Sequence, residues 1–329
     1  MPLKHFDART IQEAITLLGQ YGEEARMIAG GVDLVGLMKN RVVSPKALVN
    51  IKTIPGLDYI REDGTELKMG TLTSLRQLET SALIRTRYPM IAEAAHSIAA
   101  PQVRNMATVG GNLCQQVQCW YYRRSPATGI SFFCSRKGGD RCYALAGENA
   151  YHAILSKGKC PAVCPSDLAP ALVALDATVR IAGPDGERHL SLASFFTSLG
   201  TTLRPDEMLL EIQVPVPRPE TRQRFLKFRL RKTIDFAISS VAAAITVESG
   251  SVREARMVLG GVAPTPYRVI EAENNLKGKT LTEEIAETTA TVAMAGAVPL
   301  SRNAYKIPIT RALLKNIILR ANGTDEKGG

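Results

Sequence analysis

The sequence predicts an α+β fold in two or three domains, and three observations carry that reading. Short apolar runs alternate with helical spacings through the first half of the chain, and two Gly-Gly turns, at Gly30-Gly31 and Gly110-Gly111, punctuate them. A proline-rich joint at residues 214–219 then separates these elements from a run of strands followed by helices. The 329 residues, 45% hydrophobic and 22% charged, have an ordinary globular composition that excludes disorder, collagen and coiled coil.

In chain order, residues 10–18 place Ile11, Ala14, Ile15 and Leu18 on one helical face, with Thr10 as N-cap. Residues 24–29 read as a short apolar strand ended by Gly30-Gly31, residues 33–39 have helical spacing, and residues 47–51 form a buried strand closed by Pro55-Gly56. Residues 1–55 are therefore expected to form a small α/β domain. From Leu57 the pattern changes to strands and hairpins, with a strand at 67–70, a capped helix at 73–78 and a helix at 90–100 that stops before Pro101. The second Gly-Gly turn leads into residues 114–163, a weakly periodic stretch that reads as an insertion. Regularity returns with a helix at 168–175, a strand at 178–181 and the turn Gly183-Pro184-Asp185-Gly186. Three prolines within residues 215–219 forbid a continuous helix or central strand. Residues 56–218 are thus expected to form a second domain and residues 219–329 a third. In the third, strands at 224–231, 240–248 and 252–260 form an antiparallel sheet, with Ser249-Gly250-Ser251 as a hairpin turn. Helices at 268–276, 283–295 and 309–321 follow, and residues 322–329 are a polar tail.

The first residues lack the basic-then-apolar pattern of a signal peptide, and no apolar run approaches the ~18 residues of a membrane span. A cytoplasmic chain without an anchor of its own is the expectation. A net charge of +10 is compatible with a nucleic acid, an anionic ligand or an acidic protein partner. Six cysteines are few for this length, which argues against a disulfide-dense scaffold, yet all six lie between Cys114 and Cys164.

Each Gly-Gly turn has the makings of an anion site, because glycine lets the backbone turn sharply with its N–H groups pointing outward. In Ala29-Gly30-Gly31-Val32-Asp33-Leu34 and Thr108-Val109-Gly110-Gly111-Asn112-Leu113 the two turns are placed to embrace one pyrophosphate; structural turns are the bland alternative. Neither fits the G-x-G-x-x-G spacing, which disfavours a Rossmann domain, and Gly278-Lys279-Thr280 is no P-loop because Glu273 stands where its first glycine belongs. The cysteines, Cys114, Cys119, Cys134, Cys142, Cys160 and Cys164, lack zinc-ribbon knuckles and the compact ferredoxin run. Metal or cluster binding and inert burial both remain open on spacing. The surrounding Pro126, Gly129, Gly138, Gly139, Gly147 and Gly158 make a loop with little core, which favours a metal staple. Lys227, alternating with apolar residues on a strand, reads by itself as an outward-facing charge. His5, His96, His152 and His189 are scattered, and no Ser-His-Asp or paired-carboxylate pattern supports hydrolysis; no catalytic residue is assigned.

Three motifs in order, Ala29-Gly30-Gly31-Val32-Asp33-Leu34, Arg104-Asn105 with Thr108-Val109-Gly110-Gly111-Asn112-Leu113, and Pro165-Ser166-Asp167-Leu168-Ala169-Pro170-Ala171-Leu172, resemble the FAD-binding medium subunit of molybdenum hydroxylases. That family comprises xanthine dehydrogenase, carbon monoxide dehydrogenase and aldehyde oxidoreductase, and the resemblance spans nearly the whole chain. It implies a vanillyl-alcohol-oxidase-type (PCMH-type) FAD-binding fold with a C-terminal three-stranded antiparallel sheet plus helices. It also implies that Ile28, Ala29, Gly30, Gly31, Val32, Asp33 and Leu34, with Thr108, Gly110, Gly111 and Asn112, hold the FAD pyrophosphate. Asp167 would meet the sugar or ribityl chain, and Leu209, Leu210 and Lys227 would lie near the ring, where a cation stabilises the reduced flavin. Val32 departs from the hydroxyl or amide residue of many relatives.

Most of the family lacks the stretch between Cys119 and Cys160, whose presence resembles the subgroup of 4-hydroxybenzoyl-CoA reductase and certain bacterial aldehyde oxidoreductases. The resemblance then implies a 4Fe-4S cluster on Cys119, Cys134, Cys142 and Cys160, with Cys164 as the rival to Cys160 and with Cys114 and Cys164 facing the flavin domain. Residues 146–154 are more like the aldehyde-oxidoreductase branch. The implied partners are a molybdenum-cofactor large subunit and a 2Fe-2S small subunit in a heterotrimer or its dimer, together with an external carrier such as ferredoxin. Arg123, Arg124, Arg136, Lys137, Arg141, Lys157 and Lys159 would form the basic surface that docks the carrier. The alternatives are a 4-hydroxybenzoyl-CoA reductase beta subunit running reductively, a flavin subunit without cluster, and a zinc-stapled nucleic-acid-binding module. Periplasmic export with a signal-bearing partner is the alternative to a cytoplasmic location.

Overall fold

A computed structural model describes residues 2–124, 132–156 and 158–321. Pro126, Gly129, Lys157 and the polar tail 322–329 lie outside the described residues. The chain divides into two compact units, each assembled from separated segments. Met1–Leu78, Ala100–Arg141 and Asp176–Val216 form the first; Glu79–Ala99, Cys142–Leu175 and Pro217–Gly329 form the second. The cysteine-bearing stretch is therefore shared, changing unit between Arg141 and Cys142.

The first unit holds a parallel sheet of β1 (Lys4–Asp7), β2 (Ala25–Ile28) and β3 (Ala47–Asn50), in the order β1-β3-β2. Central β3 is buried along Ala47, Leu48 and Val49, as a strand with neighbours on both sides must be. The helix Ile11–Tyr21 connects β1 to the 3-10 turn before β2. Thr10 caps it by accepting from Glu13 N at 3.1 Å, and Ala14, Ile15 and Leu18 form its buried stripe. An antiparallel sheet completes the unit: β4 (Ile60–Glu62), β5 (Glu66–Gly70), β6 (Thr178–Gly183), β7 (Gly186–Ser191) and β10 (Met208–Pro215), in the order β4-β5-β10-β6-β7. The short pair β8 (Phe196–Thr197) and β9 (Gly200–Thr201) lies in the excursion before β10. One core joins the sheets, with Ile15, Leu18, Val49 and Ile51 packed in the same cluster as Ala182, Met208 and Leu210.

The second unit is built on β11 (Thr221–Phe228), β12 (Ser239–Glu248), β13 (Ser251–Gly260) and the two-residue β14 (Tyr267–Arg268), all antiparallel in sequence order. Ser249 and Gly250 both have positive φ, 50° and 77°, as a tight hairpin between twisted strands requires. Val241, Ala243 and Ile245 of β12 pack with Met257 and Leu259 against the helices Ile270–Leu276, Glu283–Ala293 and Lys306–Arg320. The helices Pro89–Ser97 and Leu168–Ala174 also pack on this sheet, so β12 is buried along most of its length and reads Ser-Ser-Val-Ala-Ala-Ala-Ile-Thr-Val without polar alternation.

Two local readings change. Pro101 opens a helix, Pro101–Met106, because its missing N–H costs nothing at the first helical position. The second glycine pair lies inside the one-turn helix Val109–Leu113, capped by Thr108. No helix among the described residues is long and apolar enough to cross a membrane.

Candidate functional site

The first glycine loop leaves β2 at Ile28, whose carbonyl accepts from Ile51 N at 3.1 Å, and runs to Asp33 and Leu34 at the start of the helix Leu34–Lys39. A Cβ on Gly30 would sit 1.8 Å from the carbonyl oxygen of Met106, and Gly31 has φ +69°, so both positions require glycine. Among the described residues the N–H groups of Gly30, Gly31 and Val32 donate to no protein acceptor. Adjacent unpaired N–H donors on a sharply curved backbone form an anion-binding concavity. Next to them the Asp33 carboxylate turns elsewhere. It stands at the N-cap position yet caps nothing; Oδ2 accepts from Gln116 N at 2.8 Å and Oδ1 from Arg123 Nη2 at 2.5 Å.

The second loop is built differently. Val109 N donates to Thr73 O and Gly110 N to Thr71 O, both at 2.9 Å, while Gly111 N donates to Thr108 Oγ1 at 3.1 Å and Asn112 N to Thr108 O at 2.9 Å. Its donors are thus taken within the protein, and its glycines serve close approach: a Cβ on Gly110 would meet Thr71 Oγ1 at 1.9 Å. Thr71 N in turn donates to Leu210 O at 2.9 Å. Leu210 has no register partner on β6, since Leu209 pairs with Ile181 and Glu211 with Arg180. This bulge explains why Leu209, Leu210 and Glu211 are buried in succession despite the strand's two-residue period. Gly30 against Met106 and Gly110 against Thr71 therefore bring together the two glycine motifs and the backbone at Leu210, all within the first unit.

In the second unit Asp167 precedes the helix Leu168–Ala174, and its Oδ2 accepts from Lys227 Nζ at 2.6 Å. Lys227 also donates to Ser97 O at 3.1 Å. Its side chain is only 3% exposed, which overturns the outward-facing reading of that strand residue. Burial pushes the Asp167 carboxyl above its ordinary range, while the Lys227 and Arg229 cations pull it back. On the loop after β11, Asp235 accepts from Arg231 Nε at 2.8 Å and from Arg231 N at 2.7 Å.

None of the six cysteines is joined in a disulfide. Cys119 and Cys134 belong to the first unit and Cys142 and Cys160 to the second. Lys137 faces both Cys119 and Cys134; desolvation lowers its pKa, and those two sulfurs raise it. The loop after Cys134 is tightly made, with Gly139 N donating to Cys134 O at 3.0 Å and a Cβ on Gly139 excluded by Phe133 O at 2.0 Å. No group of three or more Cys, His, Asp or Glu side chains among the described residues is arranged to hold a metal ion. Cys114 and Cys164 are half-buried, and desolvation pushes their thiols up to about 12. Several basic side chains of the stretch are occupied internally. Arg123 pairs with Asp33, Arg136 donates to the carbonyls of Ser198 and Leu199, and Lys137 donates to Arg124 O.

The sequence reading missed the Asp33–Arg123 pair, whose members lie 90 residues apart. It also missed the diversion of the second loop's donors, for which the Thr108-x-x-Gly111 spacing was the available signal.

Residues 2–217 match the family model described as the FAD binding domain in molybdopterin dehydrogenase, and residues 224–321 match the CO dehydrogenase flavoprotein C-terminal domain. The chain is 31% identical to the carbon monoxide dehydrogenase medium chain of Hydrogenophaga pseudoflava, over 88% of this chain and 85% of the relative. It is also 31% identical to the aldehyde oxidoreductase FAD-binding subunit PaoB of Escherichia coli (strain K12), over 90% and 91%. Among solved structures it superposes with a TM-score of 0.77 on a chain of the Hydrogenophaga pseudoflava carbon monoxide dehydrogenase that lacks the Mo-pyranopterin moiety, at 29% identity and 96% coverage of each. The reconstituted CO dehydrogenase from Oligotropha carboxidovorans gives 0.79 at 26% identity, covering 98% and 99%.

Proposed function

The chain belongs to the family of FAD-binding subunits of molybdopterin dehydrogenases, and from that premise we propose that its first glycine loop holds the FAD diphosphate and that the chain carries electrons between iron-sulfur partner subunits and an external acceptor or donor. The observation that carries the reading is the run of unpaired N–H groups at Gly30, Gly31 and Val32, beside a carboxylate already neutralised by Arg123. A diphosphate placed there would find donors without meeting an uncompensated negative charge. Bound FAD supplies the exchange of two electrons with one partner and single electrons with another.

The chain's own residues would bind and orient it. Gly30 and Gly110 keep the loops close, Gly31 sets the curve, Thr108 holds the turn through Gly111 N and Asn112 N, and Gly110 N ties the second loop to Thr71. We assign Asp167 to the sugar or ribityl chain and Leu209, Leu210 and Lys227 to the neighbourhood of the ring, following the resemblance.

The 4Fe-4S cluster on Cys119, Cys134, Cys142 and Cys160 is a separate proposal. It rests on the soft thiolate donors and on the resemblance, and the described side chains do not assemble a metal site, so no step is derived through it. The molybdenum large subunit, the 2Fe-2S small subunit and a carrier such as ferredoxin are carried over in the same sense, as is reductive operation like that of 4-hydroxybenzoyl-CoA reductase.

The test is the visible spectrum of the purified chain. Flavin bands support the flavin reading, and a broad shoulder that disappears in Cys134→Ser while the flavin bands remain supports the cluster. A colourless protein with bound zinc would sink both.

A further inference from the structure

An aspartate at a helix N-cap ordinarily accepts from its own helix, an interaction worth ~1 kcal/mol. Asp33 forgoes it. Its two oxygens are drawn to Gln116 N at 2.8 Å and Arg123 Nη2 at 2.5 Å, in the cysteine-bearing stretch. Arg123 is itself fixed by three further bonds: Nε donates to Val117 O and Nη2 to Gln116 O, both at 2.8 Å, and its N–H donates to Cys119 O at 3.0 Å. The guanidinium fork therefore reaches Asp33 from a backbone position it cannot easily leave, and both side chains of the pair are 22% exposed, enough burial for the pair to be weakly screened.

We propose that Arg123 is a positioning residue of the flavin site, holding the Asp33 carboxylate away from the unpaired N–H groups of Gly30, Gly31 and Val32 so that an anion can take them. This rests on the flavin reading above. Without Arg123 the carboxylate is an internal competitor: it lies on the same loop, it is negatively charged, and the unpaired N–H groups of Gly30, Gly31 and Val32 stand within three residues of it. The same contact gives the cysteine-bearing stretch a stake in the loop. Occupancy that favours the diverted Asp33 also favours the placement of residues 116–123, and reciprocity requires the order of that stretch to favour FAD by the same factor.

The test uses the full-length flavin-loaded chain and follows FAD release on dilution by the rise in flavin fluorescence. Arg123→Gln is expected to release FAD about ten-fold faster. Asp33→Asn sets the reference rate for a loop without the competing carboxylate, and the double variant should release FAD at that reference rate rather than at the Arg123→Gln rate. Arg123→Lys, which keeps the charge but loses the fork, should fall between. Trp120, the only tryptophan, sits in the same stretch, and its quenching by iodide should rise in Arg123→Gln. A double variant no slower than Arg123→Gln would reduce Arg123 to a structural staple and overturn the proposal, as would unchanged release in a folded Arg123→Gln. An unaltered chain that takes up no FAD would instead overturn the flavin reading.

Discussion

Lys227 Nζ donates to Asp167 Oδ2 at 2.6 Å across 60 residues of sequence, with the two side chains only 3% and 6% exposed. Ser97 O accepts a second bond from the same ammonium, and Arg229 Nη1 reaches that carbonyl at 2.6 Å. Removing the cation strands a buried carboxylate. Lys227→Met is expected to cost about 3–5 kcal/mol, and Lys227→Met with Asp167→Leu should recover much of it, since a buried pair replaced by apolar groups is often neutral. Urea midpoints at constant slope measure both; a single variant within ~1 kcal/mol of the unaltered chain would refute the pair's role.

Gly30 and Gly36 stand six residues apart and make opposite predictions. A methyl on Gly30 meets backbone at 1.8 Å, whereas one on Gly36, inside the helix Leu34–Lys39, meets nothing within 4 Å. Gly30→Ala should displace the loop and abolish FAD retention. Gly36→Ala should stabilise the chain by roughly 0.5–1 kcal/mol through helix propensity. Flavin content after gel filtration and thermal midpoints separate the outcomes, and a Gly30→Ala chain that kept its flavin would contradict the loop assignment.

Cys114 and Cys164 carry thiols pushed up to about 12 by desolvation. At pH 8 only about one molecule in ten thousand would carry a thiolate at each, against roughly a quarter for an ordinary cysteine. Iodoacetamide at pH 8 should therefore leave both unmodified in the folded chain and alkylate them once it is unfolded. Peptide mass mapping reads the result, and rapid native modification of either would show that desolvation does not suppress its thiolate.

Signals that act over a few residues were legible in the sequence: Thr10 as cap of Ile11–Tyr21, Ser249-Gly250 as hairpin, and the Gly183-to-Gly186 turn between β6 and β7. Their physics is local. β1 was missed because Lys4–Asp7 is a largely exposed edge strand with only Phe6 turned inward, too little apolar pattern to announce a strand. The bulge at Leu210 exists only in the register against β6, and the Asp33–Arg123 and Asp167–Lys227 pairs are made by the fold between residues 90 and 60 positions apart. The glycine motifs were legible as two turns, whereas the different use of their N–H groups depends on where Thr71, Thr73 and Thr108 offer acceptors.

A fully buried lysine gives the last prediction. Lys306 Nζ donates to Gly261 O at 2.7 Å and Tyr151 O at 3.0 Å, both uncharged acceptors, and burial pulls it down to about 7. His152 lies near enough for the ammonium to add to its own desolvation, and it is held at about 4. Both groups bind protons less readily when folded than when unfolded, so the unfolded chain holds the extra proton inside each window and stability rises with pH across it. For His152 the window runs from about 4 to 6.5, and stability is lost as pH falls through it. For Lys306 it begins near 7 and extends toward 10.5, but above pH 8 the thiols of Cys114 and Cys164 act increasingly in the opposite sense, leaving pH 7–8 as the clean interval. There each pH unit should add at most about 1.4 kcal/mol. Lys306→Met removes the titrating group and should flatten the urea midpoint between pH 7 and 8 while leaving the acid limb below 6.5 in place. A variant that kept the full slope over pH 7–8 would show that the lysine does not lose its proton there, and that its two carbonyl partners hold it charged.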